Sequence, residues 1–228
     1  MSPDKYDTED RYPADTELKF FGTITASVTH ELNNVISIIS QTGGLLEDLL
    51  AGTKQNRPIE PERLERIAEK VSIQTERGIK IIKRLNSFAH STDISTGSFD
   101  LNELLENLGA LMERFISLKG ASLTLELSNG PLEITNNQLK VQQVIFLALK
   151  AILPLTQKND SIIISSGEID SDRKITIQLK TDRDCPLPDI SNPNTHASRI
   201  GARLNSNTGP AGPFIEIILP RTSVLDNI

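Results

Sequence analysis

From Leu18 the positions Phe21, Ile24, Val28, Leu32, Val35, Ile39, Thr42, Leu46 and Leu49 recur at steps of three and four. That spacing lays a mostly apolar stripe along one long helix. Gly43-Gly44 weakens it locally, by about 1 kcal/mol per glycine relative to alanine. A polar connection, 52–58, follows, and Pro61 suits the first turn of a second helix. There Leu64, Ile67, Val71, Gln74, Gly78, Ile81, Ile82, Leu85, Phe88 and Ala89 carry the period to about Ser91. Two long amphipathic helices joined by a short loop predict an antiparallel hairpin. A lone hairpin leaves apolar surface uncovered, so a second copy completing a four-helix bundle is the expected partner.

Beyond a linker at 93–98 the pattern changes. Asp100 precedes an apolar helix with Glu103 three residues on, the outline of a capping box, and the helix runs to about Leu118. Ser122–Leu127 alternates as a strand, Leu132–Thr135 is a shorter one, and Asn137 caps a helix through Leu155. Ser161–Ser166, Lys174–Lys180 and Phe214–Leu219 read as further strands, with 188–214 as a loop rich in Asn, Pro, Ser and Gly. The order predicts an α+β fold: an N-terminal helical hairpin, dimeric as a four-helix bundle, then a two-layer α/β sandwich. The domain reading is a disordered tail at 1–16, the hairpin at 17–92, the linker at 93–98, the α/β domain at 99–222 and a tail at 223–228.

Composition narrows the function. Only 4% of residues are aromatic and none is Trp, which suits an aliphatic core. The net charge of −6, with no basic cluster, argues against nucleic acid. A single cysteine, Cys185, excludes an internal disulfide framework and fits a cytoplasmic setting. The most apolar stretch, Val144–Leu155, contains Lys150 and Pro154 and falls short of the ~18 residues a membrane span needs. No metal-ligand spacing stands out.

The candidate chemistry is the run Ser27-Val28-Thr29-His30-Glu31-Leu32-Asn33-Asn34. A histidine on a helix is ordinarily just a surface or core residue. His30, however, flanks the stripe, where an imidazole reaches solvent, and an adjacent acid such as Glu31 can fix a tautomer and raise basicity. Asn34 lies one turn on, on the same face. His90, at the end of the second helix, reads as a favourable cation near a helix C-terminus, and His196 sits in the loop with no partner in view.

The His-Glu-Leu-Asn-Asn run, mid-helix in a long hairpin and followed by such an α/β domain, resembles the dimerisation and phosphotransfer domain of two-component histidine kinases. The resemblance covers 17–92 well and 99–222 in outline. It implies His30 as phospho-acceptor, Glu31 as the acidic partner in transfer, and Asn34 at the position that orients water for dephosphorylating a response regulator. It also implies a Bergerat-type ATPase domain, and there the motifs fail. With the pattern anchored on Ala151, the two Mg²⁺-binding asparagines correspond to Phe146 and Lys150. The Asp-x-Gly-x-Gly-Ile-Pro segment reads Asp182-Arg183-Asp184-Cys185-Pro186-Leu187-Pro188: the aspartate survives and both glycines are gone. The 188–214 segment is too short for the family's lid, second glycine box and following helix.

The expectation is a cytoplasmic histidine phosphotransferase of a phosphorelay, without ATP-dependent kinase activity. It would exchange phosphoryl groups between His30 and the aspartates of response regulator receiver domains. No cofactor of its own is expected, the Mg²⁺ coming from the receiver, and input would arrive through another protein. The alternatives are a true sensor kinase core with a divergent nucleotide pocket, or a non-enzymatic regulator that docks a receiver or kinase.

Overall fold

The computed structural model describes residues 13–54, 58–93 and 95–222. The first two helices are α1 (Pro13–Thr53) and α2 (Pro61–His90). The chain divides into two compact units, one formed by Thr23–Ser87 and the other by Phe88 onward together with the start of α1 up to Gly22.

In the helical unit Ile24, Val28, Val35 and Thr42 of α1 and Ile67 and Ile81 of α2 are buried. A Cβ at Gly78 would lie 3.4 Å from Val35, so the small residue in the second stripe marks a close approach of the helices. Several stripe and neighbouring positions stay uncovered: Ile36 is 60% exposed, Ile73 54%, and Ile79 and Ile82 48% each.

The other unit is built on β1 (Gly97–Asp100), α3 (Leu101–Ser117), β2 (Ser122–Glu126), β3 (Glu133–Asn136), α4 (Gln138–Ile152), β4 (Ser161–Ile169), β5 (Asp172–Lys180), α5 (Ser191–Ser198), β6 (Arg203–Gly209) and β7 (Gly212–Leu219). Five strands form one sheet in the order β2-β4-β5-β7-β6, and β1 pairs with β3 as a separate ribbon. The β2–β4 pair is parallel; β4–β5, β5–β7 and β6–β7 are antiparallel. Alternation puts Ile162, Ile164, Ile175, Ile177, Leu179, Ile215, Ile217 and Leu219 in the core, with α3 and α4 supplying its other layer.

Side-chain caps fix the helix starts. Asp100 accepts from the backbone N–H groups of Asn102 and Leu132, tying the start of α3 to the entry of β3. Asn137 accepts from Lys140 N–H and donates to the Ser95 carbonyl. The helix α4 stops at Ile152 rather than Leu155: Leu153 keeps right-handed helical dihedrals as the cap, and Pro154 has no N–H to continue the hydrogen-bond ladder.

Three expectations need correction. Helix α1 starts at Pro13, inside the span assigned to the tail, since proline is well suited to a first helical turn; residues 1–12 and 223–228 lie outside the described residues. The linker is shorter than assigned, because Gly97 and Ser98 already pair with Asn136 and Thr135. The segment at 188–214 is not a loop: it holds α5 and β6. Propensity hid both. Buried Pro193 and Ala197 anchor α5, which packs on α4, and the polar strand β6 is held by main-chain pairing with β7. The hairpin's base, assigned to 17–92, packs with the α/β unit through aromatic rings, Phe20 meeting Phe88 at 5.4 Å and Phe146 at 4.9 Å between centroids.

Candidate functional site

Helix α1 presents His30 to solvent, and Asn34 is exposed beside it. The Asn34 side-chain nitrogen lies 3.3 Å from His30 Nδ1. An amide offers either a donor or an acceptor to that nitrogen, and its orientation selects the tautomer. With the amide NH₂ donating, Nε2 carries the proton. With the amide oxygen accepting from Nδ1–H, Nε2 keeps its lone pair free for attack.

Glu31 lies one residue on, roughly 100° around the helix, and turns toward α2. Its Oε1 accepts from Arg77 at 2.8 Å, with the two side chains 26% and 52% exposed. The carboxylate expected to set the imidazole tautomer is therefore engaged with a guanidinium, and the group on the ring is Asn34. Arg77 is the residue that sequence reasoning missed. The signal was its place next to Gly78, whose small size lets the helices approach.

The other histidines have their own surroundings. His90 Nδ1 is 2.8 Å from Asp93 Oδ2, both exposed. His196 lies on α5, where burial first, then the charge of Arg199, hold its pKa below the usual value against the opposing effect of Glu17.

In the α/β unit the positions matched to the Mg²⁺-binding asparagines face different surroundings. Phe146 is 3% exposed, set between Phe20 and Phe115, and supplies no oxygen for a hard cation. Lys150 is exposed and its Nζ sits 5.6 Å from the Phe146 ring centre. Asp182 is exposed after β5 and lines an open cavity of about 570 Å³ with the β6–β7 turn. Arg183 turns back, donating to Asp160 Oδ2 at 2.5 Å and to the Leu155 carbonyl at 3.1 Å. Burial pushes the Asp160 carboxyl up, but bonds from Gln157 N–H, the Thr181 hydroxyl and Arg183 outweigh it and hold the pKa below the ordinary value. Among the described residues no helix is long and apolar enough to cross a membrane.

No protein-family model matches the chain, and no curated protein matches it in sequence. Solved structures do match. The nucleotide-free catalytic domain of histidine kinase ThkA is 16% identical, covering 57% of this chain and 99% of that one, with a TM-score of 0.50. The fold is that of a histidine kinase catalytic domain. ThkA in complex with the response regulator TrrA aligns over 95% of this chain and 68% of that one at 20% identity, TM-score 0.47. Histidine kinase AdeS of Acinetobacter baumannii aligns over 84% of this chain and 98% of that one at 12% identity, TM-score 0.47.

Proposed function

We propose that the protein is a histidine phosphotransferase that exchanges phosphoryl groups between His30 and the phospho-aspartates of receiver domains, without using ATP. The observation that carries this reading is the solvent-exposed His30 with Asn34 3.3 Å from its Nδ1. A phosphoryl carrier needs an exposed imidazole on a rigid support, one nitrogen held and the other free.

The step balances simply. The free nitrogen of neutral His30 attacks phosphorus in line. The P–N bond forms as the P–O bond to the aspartyl carboxylate breaks, the carboxylate leaves as an anion, and the proton on the other ring nitrogen stays there, hydrogen-bonded to the Asn34 amide oxygen, or passes to solvent. The receiver contributes the Mg²⁺ that neutralises the phosphoryl oxygens. Glu31, engaged with Arg77, holds charge near the acceptor rather than moving a proton.

The absence of ATP use is part of the same proposal. What supports it is the motif match anchored on Ala151, in which Phe146 and Lys150 correspond to the metal-binding asparagines of the resembled family and Asp184 and Pro186 to the glycines that allow backbone to approach a nucleotide. The α/β unit then serves as a docking surface. The working form is taken to be a cytoplasmic homodimer joined through the uncovered face of α1 and α2.

The test is incubation with a phosphorylated receiver. The expected result is label on this chain that is acid-labile and alkali-stable, as a phosphoramidate is, and that His30→Gln abolishes while receiver docking persists. Label that survives His30→Gln, or that follows His90 or His196, overturns the assignment. Label acquired from Mg-ATP instead would favour an active kinase, and receiver binding with no label in either case would favour a docking regulator.

A further inference from the structure

We propose that Lys140, Gln143, His196 and Arg199 form a binding site for a small dianionic phosphate compound. These residues, with Glu17, line a cavity of about 320 Å³ within the α/β unit. That volume lies at the lower end of small-molecule sites and exceeds what one phosphate ion fills. None of the positions matched to the nucleotide motifs, Phe146, Lys150 or 182–188, lines it. The inference is therefore independent of the role of His30.

Charge points to the ligand class. The lining carries two permanent cations, Lys140 and Arg199, against one acid, Glu17, in a chain whose net charge is −6. Among the described residues neither cation is engaged in an ion pair. Lys140 sits in the first turn of the 15-residue helix α4, at the end where the helix dipole also favours negative charge.

Burial supplies an independent observation. Gln143 is 2% exposed, and its side-chain nitrogen has no hydrogen-bond partner. A buried donor left unpaired is costly, and a ligand oxygen would remove that cost. Lysine, guanidinium and amide together offer only donors to an oxyanion, and a guanidinium matches phosphate oxygens in pairs. The imidazole of His196 provides the response. Burial and Arg199 hold it toward the neutral form, with Glu17 opposing, so a bound dianion must draw a proton onto it.

The experiment uses the full chain with ¹⁵N-labelled histidine, whose three histidines give separate ring signals. Inorganic phosphate replaces chloride at constant ionic strength. The expected result is a saturable movement of the His196 signals and a rise in its titration midpoint, with His30 and His90 unmoved as internal controls. Lys140→Gln and Arg199→Gln, both at solvent-reachable positions, should each weaken binding about tenfold, the effect of losing one charge-assisted contact. A parallel titration with glycerol phosphate separates the sources: tighter binding than phosphate identifies a phosphomonoester, equal binding identifies free phosphate. No movement of His196 at about 10 mM of either compound, well above a 1 mM dissociation constant, overturns the proposal. So does a parallel shift of all three histidines, or a shift that persists when both cations are replaced.

Discussion

Asn34 approaches Nδ1 of His30 to 3.3 Å from one helical turn along α1. This contact ties the tautomer of the imidazole to the orientation of a neutral amide, so the residue at position 34 sets which ring nitrogen is free. Asn34→Ala should leave His30 able to accept phosphoryl but slow the transfer, since the ring then samples both tautomers and more rotamers. Loss of one weak exposed hydrogen bond predicts an effect of less than about tenfold. Asn34→Asp puts an acceptor-only carboxylate beside the ring, which holds the proton on Nδ1 and leaves Nε2 free, so it should preserve transfer better than Asn34→Ala does. Rates measured from pH 5 to 9 for the three proteins check this; identical profiles would show that the contact has no part in transfer.

The aromatic position 146 makes a second prediction. Phe146→Asn, alone or with Lys150→Asn, should not create Mg-ATP binding tighter than about 100 μM by calorimetry, because on the proposed reading two asparagines alone do not rebuild a nucleotide site whose matched glycine positions hold Asp184 and Pro186. It should cost about 3–5 kcal/mol in denaturant stability, as removal of a buried phenyl does, because Phe146 packs on Phe20 and Phe115. Micromolar nucleotide binding by the wild-type chain would sink this reading.

The pattern of the sequence was enough for the hairpin and the three longest strands' places, because aliphatic periodicity at steps of three to four or of two is the direct signature of burial on one face. Asp100 and Asn137 were legible as caps, since short polar side chains before an apolar run have little other use. The fold around 188–214 was not legible. Ser191–Ser198 contains Pro193, Asn194 and Thr195, poor helix formers individually, and its helix exists through packing on α4. Strand β6 alternates Asn, Ser and Thr, whose contribution is main-chain pairing. In the candidate site, position and exposure of His30 followed from the stripe, but the choice between Glu31 and Asn34 as its ring partner depends on which side of α1 faces α2, and Arg77 entered only through that packing.

Glycines separate tolerated from forbidden side chains. Gly212 has φ +129° in the β6–β7 turn, and a Cβ there would collide with the Leu179 carbonyl oxygen. Gly212→Ala should destabilise by more than the roughly 1–3 kcal/mol that an unfavourable backbone conformation alone costs. Gly43 and Gly44 lie mid-helix, and a methyl group at either would meet nothing within 4 Å, so Gly43→Ala should stabilise α1 by about 1 kcal/mol. Thermal melts of the two variants should move in opposite directions.

Asp160 gives a pH dependence with a fixed sign. Its folded pKa lies below the ordinary 3.8, through bonds from Gln157, Thr181 and Arg183 that overcome the effect of burial. A carboxylate depressed on folding contributes stability that is complete above its unfolded pKa and is lost as pH falls through the folded value. Asp160→Asn should therefore cost about 1–3 kcal/mol at neutral pH, with the difference from wild type shrinking below about pH 4. A cost that stays constant from pH 7 to 3 would mean that packing, not ionisation, is what Asp160 supplies.

The uncovered face of the helical unit carries the last prediction. Ile79 and Ile82 lie three residues apart on α2, each 48% exposed, and Ile36 and Ile73 are more exposed still. Residues at that spacing share a helix face. Exposed apolar side chains on a long hairpin are what a second copy would cover in a four-helix bundle. Covering a half-exposed isoleucine is worth on the order of 1 kcal/mol, and a symmetric interface counts each side chain twice, so a double change removes several kcal/mol. Ile79→Glu with Ile82→Glu also places carboxylates on that surface, where pairing would bury them. Sedimentation of the wild-type chain at micromolar concentration should show a dimer, and the double variant should sediment as a monomer with its helix content retained. A wild-type monomer under those conditions would remove the bundle from the account; a variant that stays dimeric would place the interface elsewhere on the chain.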